Sequence, residues 1–200
     1  MNISVLTTLL IFDWDDTLYP TNLLNDEKLN TVDIDNRLYK TLSYLNNYGT
    51  IVIITNATRS WIDLCIDDLP MINKFIKNKN IDIISAQDLY KEKYPSIYWK
   101  IEAFISIMNQ EKYNKYNNII SIGDGVYEYK ALIALANYFY DAKYKIFKTV
   151  KLVKYPSYKE YKFQLAILMK NFYKIVSTGR HMDLIMRNKK FNHKKIKKQK

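Results

Sequence analysis

Cysteine is almost absent from this 200-residue chain, and a lone Cys65 excludes an internal disulfide. With no cysteine or histidine partner near it, Cys65 also excludes a zinc site, and a reducing compartment is the expected setting. Four glycines and four prolines exclude repeats, collagen and a linker-rich architecture. No apolar run reaches membrane-spanning length. The stretch Ile3 to Phe12 lacks a basic flank and runs into three aspartates, so it reads as a core strand and not as a secretory signal. A cytoplasmic protein with no membrane contact is expected.

What is present fits one globular domain. Hydrophobic residues make up 48% of the chain, enough for a sizeable core. The abundance of Ile, Asn, Lys and Tyr is the mark of an AT-rich genome and has no functional meaning by itself. The net charge of +11 is unevenly placed: eight basic residues and no acidic ones lie from Arg187 to Lys200, leaving +3 for the rest. Such a tail suits nucleic acid, acidic lipid or an acidic partner, and a nuclear location is its corollary. The plainer reading is a solvated C-terminus in a lysine-rich chain.

Strand and helix patterns alternate. Residues 4–12, 51–54, 81–85, 119–122 and 148–153 read as strands, each an apolar or β-branched run. Between them, helical spacing covers 34–47, 60–69, 71–78, 98–110 and 127–139, and 157–177 supplies a C-terminal helix. Gly49 is expected to close the first helix. Residues 18–33 are polar and irregular. The alternation predicts an α/β fold with right-handed crossovers and a parallel sheet in three layers. The expected domain is residues 1–180, followed by a basic, flexible tail at 181–200.

Polar groups cluster where strands end. Asp13 and Asp15 follow Leu9-Leu10-Ile11-Phe12 in the string IFDWDDTLYP. In open α/β sheets, ligand sites form just beyond the C-terminal ends of strands. Two acids buried there are costly unless a cation or hydrogen-bond donors compensate them. Ile51–Ile54 ends at Thr55-Asn56, Lys100 stands near a helix start, and Ile119–Ile122 ends at Gly123-Asp124-Gly125 with Glu128 beyond.

This order resembles the haloacid dehalogenase-like superfamily of phosphohydrolases, over roughly residues 4–153. Its DxDx(T/V) motif matches Asp13, Asp15 and Thr17; its second motif ends at Thr55; its lysine is best matched by Lys100, with Lys91 and Lys93 as alternatives; its fourth motif is SIGDGVYE. The FDWDDTL form of the first motif is similar to an uncharacterised subset of that superfamily. A three-layer, Rossmann-like core is implied.

So is a magnesium-dependent phosphatase, with Asp13 as the nucleophile forming an aspartyl-phosphate and Asp15 as acid and then base. The resemblance assigns Thr55 to the phosphoryl oxygens and Lys100 to the charge on Asp13 and the phosphoryl group. It assigns the magnesium shell to Asp13, the backbone carbonyl of Asp15 and Asp124, with Asn56 and Glu128 in support. The short stretches from Thr17 to Thr55 and from Thr55 to Lys100 leave no room for a large cap domain, so an open site is expected. It would take a phosphoprotein, a nucleic-acid end or a small phosphomonoester. The competing reading is an inactive protein of this fold that contacts nucleic acid or an acidic partner through residues 187–200. Asp16 reads as a turn or solvent residue, and Trp14, Trp61 and Trp99 as packing residues. His181 and His193 are assigned no role.

Overall fold

The computed structural model describes residues 7–25, 29–142, 144–187 and 190–193. Seven strands form one sheet: β1 (Thr8–Phe12), β2 (Thr50–Thr55), β3 (Asp82–Ser85), β4 (Asn118–Gly123), β5 (Ile146–Lys151), β6 (Met182–Arg187) and β7 (Lys190–His193). Their order is β3-β2-β1-β4-β5-β6-β7, parallel from β3 through β6, with β7 antiparallel at the edge. The helices are α1 (Thr31–Leu45), α2 (Arg59–Asp67), α3 (Pro70–Lys79), α4 (Ala86–Tyr90), α5 (Ser96–Met108), α6 (Glu111–Asn114), α7 (Tyr127–Tyr138) and α8 (Tyr158–Ser177).

Both faces of the sheet are covered, which is why β1, β2 and β4 are buried along almost their whole length and read as largely apolar runs instead of alternating. Leu10, Phe12, Ile51, Ile53, Ile120 and Ile122 point to a core with α1, α2, α3 and α8. Leu9, Ile11, Val52, Ile54 and Ile119 point the other way, to α5 and α7. The result is a three-layer α/β fold of Rossmann-like type. Among the described residues, the stretch from Thr17 to Thr55 holds only a short 3-10 turn (Thr21–Leu23), α1 and β2, with no inserted subdomain. No helix in the described residues is long and apolar enough to cross a membrane.

Several expectations change. Gly49 does not cap α1, whose C-cap is Asn46 in a right-handed conformation, and no described glycine has positive φ. Instead a Cβ at Gly49 would stand 2.7 Å from the Thr8 carbonyl oxygen, so the glycine lets the chain pass close to β1. The domain does not end at residue 180: Met182, Leu184 and Met186 are buried on β6, paired to β5, and β7 extends the sheet further. The basic stretch therefore begins inside the sheet, and its residues 188–189 and 194–200 lie outside the described residues, as does the expected start of the first strand at 4–6. The short helices α4 and α6 were not expected.

Two buried charged residues hold helix ends to this framework. Asp35 of α1 accepts the N–H groups of Met71 and Ile72 at 2.9 Å each, satisfying two free donors at the start of α3. Replacing Asp35 with alanine should cost about 2 kcal/mol, because both donors lose a charged acceptor. Urea unfolding should show a lower midpoint with an unchanged slope. Lys148 of β5 is fully buried on the face of Val150 and Leu152. Its Nζ donates to the carbonyls of Ile175, at 2.7 Å, and Val176, at 3.0 Å, in the last turn of α8.

Candidate active site

The chain passes from β1 outward to β2 and β3, then returns to the opposite side of β1 as β4. The carboxyl ends of β1 and β4 thus flank the switch point of the sheet, where the helical connections diverge and leave a crevice. Asp13 follows β1 and Asp124 follows β4, and the Asp13 N–H donates to Ile122 O at 3.0 Å. Thr17 explains itself here: its Oγ1 accepts the Asp124 N–H at 3.1 Å, locking the loop after β1 to the loop after β4.

Lys100 reaches this point because α5 carries it in line with Ala103, Phe104, Ile107 and Met108, the buried stripe of that helix. Its Nζ lies 2.6 Å from Asp13 Oδ1 and also pairs with Glu128 Oε1. Only 2% of the Lys100 side chain is exposed, whereas Lys91 and Lys93 are both exposed on the surface. Lys100 is therefore the lysine that the fold brings to Asp13. Glu128 stands on the buried stripe of α7 with Ala131, Leu132 and Leu135. The glycines of SIGDG make room for it: a Cβ at Gly123 would lie 2.5 Å from Glu128 Cγ, and one at Gly125 2.7 Å from Oε2.

The carboxylate oxygens of Asp13, Asp124 and Glu128 lie within 4.8 Å of one another. Burial drives the Asp13 carboxyl well above its ordinary range; Lys100 opposes that rise, while Glu128 and Asp124 add to it. Burial alone would push the Lys100 ammonium down, but Asp13 and Glu128 outweigh it and hold it up. Glu128 is held below its usual value, Lys100 overcoming its burial. Asp124 is pushed up to about 6, by burial first and then by Glu128 and Asp16. Glu128 Oε2 is buried with no hydrogen-bond partner. Three crowded carboxylates against one ammonium, with an unpartnered buried oxygen, form a donor set that suits a hard divalent cation.

Asp15 lies outside that cluster, and its surroundings correct the reading of Trp61 as a packing residue. Asp15 Oδ1 accepts the Trp61 indole N–H at 3.0 Å and the Thr21 hydroxyl at 2.5 Å. Neither partner was legible, since they approach from α2 and from the turn after Pro20. Trp14 does pack, fully buried and stacked on Tyr19. Trp99 donates from its indole N–H to the Tyr94 carbonyl at 2.6 Å. Asp16 occupies a turn with φ 54°, as expected, but it is buried instead of solvated, and its Oδ1 accepts the Asn22 N–H at 2.8 Å.

Thr55 is buried at the end of β2, and its Oγ1 accepts the Ala57 N–H at 3.0 Å. The cap of α2 is Thr58, so Thr55 is not needed for that task. Asn56 Oδ1 is buried without a partner. A further lysine went unnoticed in the sequence: Lys151, at the end of β5, donates to the carbonyls of Asp124, at 2.9 Å, and Gly125, at 2.8 Å. A lysine as the last residue of a strand beside the acid-bearing loop is the signal that marks it. His181 also acts structurally, its Nδ1 accepting the Phe147 N–H at 3.1 Å. The side chain of His193 lies outside the described residues.

No protein-family model, no curated protein and no solved structure matches this chain. The site must be read from its own chemistry.

Proposed function

We propose that the chain is a magnesium-dependent phosphohydrolase that cleaves phosphate monoesters through an aspartyl-phosphate on Asp13. The observation that carries this reading is the contact of a buried Lys100 ammonium with Asp13 at 2.6 Å, beside Asp124 and Glu128 at the switch point of the sheet. The similarity of its motifs to haloacid dehalogenase-like enzymes points the same way.

Asp13, Asp124 and Glu128 would hold the ion, which would neutralise charge between a carboxylate nucleophile and a dianionic ester. A carboxylate oxygen of Asp13 attacks phosphorus, and the ester P–O bond breaks. Asp15, fixed through Oδ1 by Trp61 and Thr21, gives a proton to the departing oxygen. Water then attacks phosphorus and returns a proton to Asp15. Inorganic phosphate leaves and Asp13 is restored. Thr55 and Asn56 line the phosphoryl oxygens, while Lys100 holds Asp13 in place and offsets charge that builds during transfer.

Turnover of p-nitrophenyl phosphate with magnesium tests this. The wild type should turn over, chelator should stop it, and Asp13→Asn should abolish it while keeping the circular dichroism spectrum. Wild-type inactivity on this ester and on a panel of other phosphate esters, or full activity of Asp13→Asn, would sink the reading.

A further inference from the structure

With no subdomain inserted after Thr17 in the described residues, discrimination between substrates falls to the rim of the crevice. One rim segment, Leu152 to Pro156, is anchored on both sides of the acid-bearing loops. The Leu152 N–H donates to Gly123 O at 2.8 Å, beside the Lys151 contacts to Asp124 and Gly125. Asn22 Nδ2 donates to Pro156 O at 3.3 Å, and the Asn22 backbone N–H is the donor to Asp16.

Within this anchored segment Tyr155 is 64% exposed and has φ 51°. A bulky side chain adopts that left-handed backbone at a cost, and a following proline disfavours helical backbone at the same residue. Strain of this kind collects where a segment meets a ligand. The ring contributes nothing to the core. Lys154 Nζ lies 4.4 Å from its centroid, and the Lys154 charge is felt at both Asp124 and Asp16. Tyr127, the first residue of α7, is a second exposed ring, and its phenol helps to hold the Lys154 ammonium up.

We infer that Lys154 and Tyr155 form the subsite for the leaving group, and that the substrate is a phosphate monoester bearing a planar aromatic group such as a nucleobase. This rests on the phosphohydrolase reading. An exposed tyrosine ring on a segment anchored at both ends offers a stacking face beside the crevice, and stacking on an aromatic side chain tolerates any base. Lys154 supplies positive charge at the entrance to a crevice otherwise crowded with carboxylates, which draws in an anionic ester.

Adenosine 5′-monophosphate and ribose 5-phosphate leave through the same kind of oxygen and differ by the base, so their kcat/KM ratio isolates the subsite. The wild type should prefer the nucleotide by about tenfold. Tyr155→Ser should bring the ratio close to one, and Tyr155→Phe should keep it. Lys154→Gln should raise KM and weaken its dependence on salt. Turnover of both esters with equal kcat/KM, or a preference that survives Tyr155→Ser, overturns the subsite and leaves the phosphohydrolase standing. Failure of the wild type on these esters and on p-nitrophenyl phosphate overturns both.

Discussion

Lys100→Met should lower the unfolding free energy by about 3–5 kcal/mol, the cost of removing one partner from a buried ion pair. The same change should cut phosphate-ester turnover by at least about a hundredfold, the scale of losing one preorganised charge aimed at the reacting group. Methionine matches the lysine stem in length and should keep the buried stripe of α5 filled, so the loss would come from charge and not from a cavity. What remains is Asp13 and Glu128 crowded together in a buried site with Asp124 nearby. Urea unfolding measures the first effect and p-nitrophenyl phosphate kinetics the second. Adding Asp13→Asn and Glu128→Gln to Lys100→Met should recover most of the stability and none of the activity, because the stranded charges go but the nucleophile goes too. A stability loss under about 1 kcal/mol in the single variant would show that Lys100 is not the compensating charge.

That lysine also shows what the sequence could and could not yield. Motif order favours Lys100 over Lys91 and Lys93, but the apolar spacing Ile101, Phe104, Ile105 and Met108 points to a different stripe of the helix from the one that is buried. The buried stripe carries Lys100 with Ala103, Phe104, Ile107 and Met108. The strands β1, β2 and β4 were legible because each is buried on both faces, and the acids that follow β1 and β4 stand out against that apolarity. β6 was lost because its Met-Asp-Leu-Ile-Met alternation leads straight into a run of lysines that dominates the local composition. Gly49 was misread because its reason lies in β1, about forty residues away, and not in the helix before it. The contact of Trp61 with Asp15 is of the same long-range kind: α2 brings the indole there only after β2 has paired with β1. Periodicity reports which face is buried. It does not report which distant polar atom a side chain meets.

Lys148 carries the second large effect, and it reverses the usual decline of stability in alkali. Burial pushes its ammonium from 10.5 down to about 8 in the folded chain. The unfolded chain therefore binds more protons between about pH 8 and 10.5, and in that window stability rises with pH. Below about pH 8 both states are protonated, and the fold bears the whole cost of a desolvated ammonium. Above about 10.5 both are neutral and the cost is gone. At about 1.4 kcal/mol per pH unit of difference, the swing is about 3 kcal/mol. Lys148→Met removes the titration and also the donors to Ile175 and Val176, so its stability at neutral pH should lie near that of the wild type. Unfolding of both proteins at pH 7, 8.5 and 10 should then show the wild type pulling ahead by about 2–3 kcal/mol as pH rises, with other titrations cancelling in the difference. A difference that stays flat across the window would mean that the two α8 carbonyls fully replace water around the Lys148 ammonium. A buried lysine in the middle of a strand would then be a cap without a penalty.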